Sequence, residues 1–299
     1  MAPRRPSSPL SAPVSDTAEN DSDSAKGGGG RASDPLLVMS VEKAFRVLHA
    51  FDATRPTMSL TQVAQVVGMD KSAAQRFTYT LEKLGYLRKD PETKRFELTV
   101  RTLDLGHHYM RSNALLERAM PYLMHLSKET EETINLTVLD GTEIVFVSRF
   151  MSRHVLNTDV SVGTRMPAYC TAPGIAILSR LPIDDAMALL DRTDLRPYTP
   201  HTTWQREDLQ AKLERAAARG YATAFEEYYH GDLSVAAAVL GPTGLPVGAI
   251  NIAVSRSRFT AQEAEERFSP LVVAAAGSVS LGGRLPGVQA STAFGPGRG

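Results

Sequence analysis

The sequence predicts an α+β protein with two folded domains, and three observations carry that reading. A capped helix–turn–helix pattern followed by a basic hairpin fills Ser59 to Leu98. Beyond it, strand patterns paired around tight-turn signals alternate with amphipathic helices, which describes helices packed on an antiparallel sheet. At 299 residues with 42% hydrophobic content, the chain has the length and apolar residues for two cores plus tails.

Residues 1–34 are rich in Pro, Ser, Ala, Asp and Gly, and they end in Gly27–Gly30. They carry almost no large apolar side chains to offset the entropy of ordering, so a disordered tail is predicted. The last stretch, 284–299, repeats that composition and that expectation. The glycine run lacks the Lys-Ser/Thr pair and preceding strand of a nucleotide-binding loop.

A first helix follows, with Val41, Ala44, Phe45 and Leu48 as its apolar stripe and Ser40 as its N-cap. Ser59-Leu60-Thr61-Gln62 is a capping box opening a second helix that buries Leu60, Val63, Ala64 and Val67. Gly68 ends it as a left-handed cap, and Asp70 caps a third helix over residues 71–84. That helix is expected to bury Ala73, Phe77, Leu81 and Leu84. Its other face presents Lys71, Ser72, Gln75, Arg76 and Tyr79. Arginine forks onto guanine and glutamine onto adenine, so this face has the chemistry to read base edges in a major groove.

Residues 86–89 and 94–98 read as two strands joined by Asp90-Pro91-Glu92-Thr93. Their cations Arg88, Lys89, Lys94 and Arg95 suit a hairpin laid along a phosphate backbone. Residues 35–98 are therefore read as a winged helix-turn-helix domain that binds double-stranded DNA. Leu36 to Gly106 holds 11 cations and 8 anions, whereas the rest of the chain holds 22 and 25. A basic module on a mildly acidic body agrees with that reading.

Residues 99–112 form a linker helix in this reading, with Leu103, Leu105, Tyr109 and Met110 on one side and a bend or break at Gly106. Residues 113–283 form the second domain. Asn113 caps a helix carrying Leu115, Leu116, Ala119, Leu123 and Leu126, which Pro121 is expected to bend or split. Strands at 133–139 and 143–148 flank the hairpin signal Asp140-Gly141, with a third candidate at 154–160. Helices are predicted at 172–180, 182–191 and 206–219, the last closed by Gly220. Strands at 221–226, 233–240 and 246–254 follow, the last pair turned by Gly241–Gly244. A helix from Thr260 to about Leu281 packs back.

Composition narrows the function classes. Cys170 is the only cysteine, which excludes an internal disulfide framework and paired-cysteine zinc or redox motifs. His154, His201 and His230 lack metal-ligand spacing, and no nucleophile-elbow, zinc-protease or phosphate-loop motif occurs. No enzyme activity, metal or cofactor is expected. No apolar run reaches membrane-spanning length, and Arg4 and Arg5 precede no signal-peptide core, so a cytoplasmic home is expected. Two other readings stay open at this level: an architectural DNA-binding protein without a ligand, and an enzyme carrying a DNA-binding domain. The large Gly- and Pro-containing second domain weighs against the first.

From about Leu36 to Leu281 the chain resembles the IclR-type bacterial transcriptional regulators. The matching segments are Leu60-Thr61-Gln62-Val63-Ala64 with Gly68, Arg76-Phe77, and Leu81 to Leu87 in the first domain. In the second they are Gly163 to Gly174, Arg219-Gly220-Tyr221, Glu226-Glu227, Gly231 and Ser234-Val235-Ala236-Ala237. The resemblance implies a GAF-like effector domain behind the winged helix, assembly as a homodimer or homotetramer, and response to a small metabolite, often a carboxylate. Residues 165–171 and the wing are most similar to the subgroup governing aromatic-acid catabolism.

By the same resemblance, Asp232, Ser234, Asn251 and Ala253 hold positions that contact the effector. The family often has small hydroxyl or thiol residues where Asn251 and Ala253 stand, which implies a differently hydrogen-bonded ligand here. Met166, Ala172 and Pro173 correspond to the family's pocket loop, with Tyr169 and Cys170 close by. Arg165, or the start of the helix at Ala172-Pro173-Gly174, is the expected partner of a ligand carboxylate.

Overall fold

The computed structural model describes residues 36–153 and 160–280, and the chain divides into two compact units after Arg101. Both tails, the glycine run and nearly all of the strand expected at 154–160 lie outside the described residues.

The first unit contains α1 (Met39–His49), α2 (Leu60–Val67) and α3 (Lys71–Lys83) with β1 (Thr57–Met58), β2 (Leu87–Lys89) and β3 (Phe96–Leu98). The strands form one antiparallel sheet in the order β1-β3-β2. The capping box forms in full: Gln62 N–H donates to Ser59 Oγ at 3.3 Å, and Ser59 N–H donates to Gln62 Oε1 at 3.0 Å. Gly68 takes φ 69° and Asp70 accepts from Ala73 N–H at 2.7 Å, so the turn between α2 and α3 has the chemistry read from its residues. Val47, Phe51, Met58, Val63, Val67, Leu81, Leu87 and Phe96 make the core.

Several local expectations change. Helix α1 starts two residues early, with Val38 at the N-cap position and no side-chain cap, so Ser40 lies inside it. Its buried residue is Val47, whereas Val41 and Phe45 of the expected stripe are exposed. On α3, Leu84 is exposed and Thr78 is buried in its place, its hydroxyl bonded to Ala74 C=O at 2.8 Å. That internal bond lets a polar residue sit in the core without an unsatisfied group. The two-residue strand β1 carries no sequence signal of its own.

A 3-10 turn (Val100–Thr102) spans the division, and the first helix of the second unit, α4 (Leu103–Ser112), runs unbroken through Gly106. Helix α5 (Ala114–Thr130) is likewise continuous through Pro121, capped by Asn113, which accepts from Leu115 and Leu116 N–H. One lost helical bond is outweighed there by the apolar side Leu115, Leu116, Ala119, Leu123 and Leu126, all buried.

Six strands form one antiparallel sheet in the order β6-β5-β4-β9-β8-β7. They are β4 (Thr133–Asp140), β5 (Glu143–Phe150), β6 (Arg165–Pro167), β7 (Ala222–Phe225), β8 (Asp232–Leu240) and β9 (Pro246–Ser255). The β4–β5 turn sits one residue later than its signal, on Gly141 (φ 63°) and Thr142, because Asp140 still pairs with Glu143. Strand β6 is only three residues long and carries no strand signal in the sequence.

Alternation sorts the sheet into two faces. Ile134, Leu136, Leu233, Val235, Val239, Ile250 and Ile252 pack with α5 and α9 (Ala261–Val279). The other face packs with α6 (Ala172–Leu178), α7 (Ile183–Leu190) and α8 (Arg206–Arg219). This second face is not wholly apolar. Thr133, Asn135, Ser234 and Asn251 are buried among its small and aromatic neighbours.

Candidate functional site

The buried polar residues of the second face line part of a cavity of about 60 Å³. Strand register explains how they meet. Asn251 stands opposite Asn135, and Asn135 opposite Arg149, so three polar side chains form a row across β9, β4 and β5. One step along, Ser234 is opposite Ala253 and Ala253 opposite Thr133. Asn251 Nδ2 donates to Ser234 Oγ at 3.0 Å, and Arg149 Nη1 donates to Asn135 Oδ1 at 3.0 Å. Met166, Ala172 and Pro173 close the cavity from the β6–α6 segment, and Tyr228 and Tyr229 from the β7–β8 connection.

Seven residues proposed from the sequence thus line one space: Met166, Ala172, Pro173, Asp232, Ser234, Asn251 and Ala253. Tyr169 does not. It is fully buried in the helical layer, where its hydroxyl donates to Arg196 C=O at 2.6 Å and accepts from Arg196 N–H at 3.1 Å. Arg165 is also displaced: it lies outside on β6, bonded to Glu143 Oε2 and Asp140 Oδ2 at 2.7 Å each. Helix α6 is seven residues long with Pro173 in its first turn, which removes an N–H from the end expected to hold an anion. Among the described residues the cation lining the cavity is Arg149, half-buried, a residue the sequence pattern does not mark.

Desolvation inside the cavity pushes the Asp232 carboxyl up to about 7, with the Arg149 guanidinium pulling the other way. Burial in turn lowers Arg149 from its ordinary value, opposed by Asp232. Glu227, another lining residue missed from sequence, is paired with buried Lys212 and accepts Thr203 N–H at 3.0 Å. Cys170 lines the wall with its thiol pushed above the usual range by burial. It has the character of a packing residue rather than a nucleophile.

In the first unit, Lys71, Ser72, Gln75, Arg76 and Tyr79 are all exposed on one side of α3. Among the described residues neither Lys71 nor Arg76 enters an ion pair. The wing cations are less uniform. Arg88 pairs with Glu97 on the facing strand, and Arg95 donates to Thr57 Oγ1 at 2.9 Å and Thr57 C=O at 2.7 Å. Arg95 therefore ties β3 to β1. Lys94 is exposed at the turn in a left-handed conformation (φ 58°).

No described helix is long and apolar enough to cross a membrane. The family model described as "Bacterial transcriptional regulator IclR C-terminal" matches residues 107–281, and the one described as "IclR helix-turn-helix domain" matches residues 40–91. The chain is 31% identical to the Pca regulon regulatory protein of Pseudomonas putida, over 81% of this chain and 83% of that one. It is 30% identical to the p-hydroxybenzoate hydroxylase transcriptional activator of Acinetobacter baylyi, over 79% and 88% respectively. A crystal structure of a transcriptional regulator from Rhodococcus sp. RHA1 superposes with a TM-score of 0.72 at 32% identity, covering 81% of this chain and 97% of that one. A winged helix-turn-helix unit, a GAF-like antiparallel-sheet unit with a cavity lined in part by buried polar side chains, and family matches across both together make the chain a member of the IclR family of ligand-responsive, DNA-binding transcriptional regulators, and not an enzyme.

Proposed function

We propose that this regulator controls a catabolic operon in the cytoplasm, that α3 reads its operator, and that the cavity of the second unit binds a small carboxylate effector. The observation that carries the reading is the cavity itself, where buried hydrogen-bonding side chains surround a half-buried arginine. The two curated relatives, named for a Pca regulon and for p-hydroxybenzoate hydroxylase, support an aromatic acid as that carboxylate. Phe146, Tyr228 and Tyr229 give the cavity aromatic surface suited to a planar ring.

Operator reading is assigned to Lys71, Ser72, Gln75, Arg76 and Tyr79, with Arg88 and Lys94 on phosphates. Gln75→Ala and Arg76→Ala are each expected to cost about 1–3 kcal/mol of discrimination between operator and altered sites. Lys94→Ala should weaken binding to all sequences and reduce the salt slope by about one. Fluorescence anisotropy against operator and scrambled duplexes at several salt concentrations measures both. Undiminished discrimination in both α3 variants would remove the helix from the interface. Arg95→Ala, by contrast, is expected to loosen the hairpin through its lost bonds to Thr57.

A homo-oligomer is part of the proposal. Leu37 just ahead of α1, Val41 and Phe45 on α1, and separately Leu103, Leu105 and Tyr109 on α4, are large apolar side chains left in water. A twofold assembly covering them suits paired operator half-sites. Phe45→Glu is expected to lower the sedimentation coefficient at micromolar concentration, and an unchanged value would place the contact elsewhere.

A further inference from the structure

We propose that the groove between α8 and the free edge of β7 is a second ligand site, built to hold the phosphoryl group of a small phosphate ester or inorganic phosphate itself. Of the residues that line it, only Glu227 also lines the polar cavity on the sheet face. The two sites are therefore distinct, and this one stands whether or not the polar cavity holds the effector.

Helix α8 supplies the charge. It closes on Gly220, and the chain doubles back as β7, leaving a hollow of about 230 Å³ between helix and strand. Lys212, Arg215 and Arg219 all line that hollow. At 3.6 residues per turn the three positions lie within about 60° of one another and span about 10 Å of helix. Like charges three and four residues apart repel, a cost that a bound anion removes.

The neighbouring carboxylates do not cancel this charge. Glu227 is paired with Lys212 and accepts Thr203 N–H at 3.0 Å. Burial lowers the Lys212 ammonium from its ordinary value, opposed by Glu227, and Arg215 adds to the lowering. Glu265, beside the groove, accepts from Arg219 at 2.9 Å and from the Tyr221 hydroxyl at 2.8 Å. Glu214 is held by Gln210 Nε2 at 3.0 Å. Arg215 is exposed, and among the described residues it enters no ion pair or hydrogen bond. Three lining cations against one lining carboxylate leave an excess of positive charge.

Strand β7 supplies the opposite wall. It ends the strand order, so one side of it is an edge of the sheet. Glu226 N–H donates to Asp232 C=O at 2.6 Å, continuing the β7–β8 register. Antiparallel ladders bond alternate pairs, so Ala222 and Ala224 turn their backbone groups towards β8, and Thr223 and Phe225 turn theirs outward. Both of these outward residues line the groove. Thr203 lines it too, and neither its hydroxyl nor that of Thr223 makes a hydrogen bond among the described residues.

Cations from the helix, backbone N–H groups from the strand edge and a threonine hydroxyl thus surround one space. A carboxylate presents two oxygens in a plane, whereas a phosphoryl group presents three around a tetrahedral centre and accepts from several directions. It carries about 1.5–2 negative charges at pH 7, and the guanidinium fork grips it through two parallel hydrogen bonds. The hollow has room for that group with a short carbon body attached.

The test is isothermal calorimetry on the full chain, in a phosphate-free buffer at constant ionic strength. The probes are inorganic phosphate, glycerol 3-phosphate, glycerol and acetate. Both phosphates are expected to bind, with glycerol and acetate at least about tenfold weaker. Equal affinity for the two phosphates assigns the site to the free ion, and tighter binding of glycerol 3-phosphate assigns it to an ester. Arg215→Gln, at an exposed position that leaves the fold intact, should weaken both phosphates about fivefold or more. Arg215→Lys should recover part of that loss, because it keeps the charge without the fork. Arg192→Gln makes the same change of net charge at an exposed position on the C-terminal side of α7 and should leave both affinities at the wild-type value. No phosphate binding to the wild-type protein overturns the site, and so does an Arg215→Gln affinity within about twofold of it. Acetate binding as tightly as phosphate overturns the phosphoryl class. Equal losses in Arg192→Gln and Arg215→Gln would reduce the binding to general charge attraction and reject the groove. Loss in Arg149→Gln with Arg215→Gln unchanged would move the ion to the polar cavity and reject it as well.

Discussion

Gly174→Ala is expected to destabilise the second unit by at least about 3 kcal/mol, lowering its melting temperature by about 6–12 °C. A Cβ built on Gly174 would lie 2.1 Å from Ala168 C=O oxygen and 2.4 Å from Ala168 Cα. Both are backbone atoms of the 3-10 turn Ala168–Cys170, so no side chain can swing aside to make room. That turn joins Met166 on β6 to Ala172 and Pro173 on α6, all cavity-lining residues, so effector binding should be lost with stability. Gly106→Ala is the matched control. Nothing lies within 4 Å of its Cβ position inside α4, and the change is expected to stabilise that helix by about 0.5–1 kcal/mol. Differential scanning calorimetry on both variants checks the pair. Equal melting temperatures for Gly174→Ala and the wild type would mean that the turn can shift to accept a methyl group.

Lys212→Met should be nearly as damaging. The Lys212 and Glu227 side chains are only 11% and 8% exposed, and they pair between α8 and the cavity wall. Removing the ammonium leaves the Glu227 carboxylate buried with Thr203 N–H as its remaining donor at 3.0 Å. Breaking a buried pair from one side costs about 3–5 kcal/mol, because the surviving charge has lost both water and its partner. The double variant Lys212→Met/Glu227→Leu is expected to recover most of that loss, since no charge is then stranded. Urea unfolding followed by near-ultraviolet circular dichroism reads both midpoints. A double variant no more stable than Lys212→Met would show that the pair contributes through something other than charge compensation.

Much of the first unit was legible because its signals are local. A capping box spans four residues, a left-handed glycine one, and the α3 polar face follows from helical spacing alone. Even there, packing decided details that periodicity did not. The stripe Val41 and Phe45 has the period of a buried face yet lies in water, while Val47 is buried. A helical period says that a face is apolar, and only the neighbouring elements say whether something covers it.

In the second unit the strands and helices were readable, and so were Ser234 and Asn251, polar residues set in apolar strands. Their register, which brings Asn251 Nδ2 to Ser234 Oγ, is a property of the β8–β9 pairing. Tyr169 and Arg165 show the limit of reading a site from a segment: both lie within a few residues of cavity-lining Met166, yet one faces the helical layer and the other the solvent.

Arg149 shows the same limit from the other side. Counting every second residue from Ile144 and Phe146, which face the cavity layer, puts Arg149 on the opposite face with Val147. The β-bulge opposite Leu136 and Thr137 inserts one residue into β5, so that Thr137 pairs with Phe146 but Asn135 pairs with Arg149. One extra residue reverses the parity of the strand and turns the arginine inward. The sequence alone determined two domains, a capped helix–turn–helix and an alternating sheet, because those follow from neighbours along the chain. The tertiary structure decided which charge enters the cavity, because a bulge exists only in the pairing of two strands.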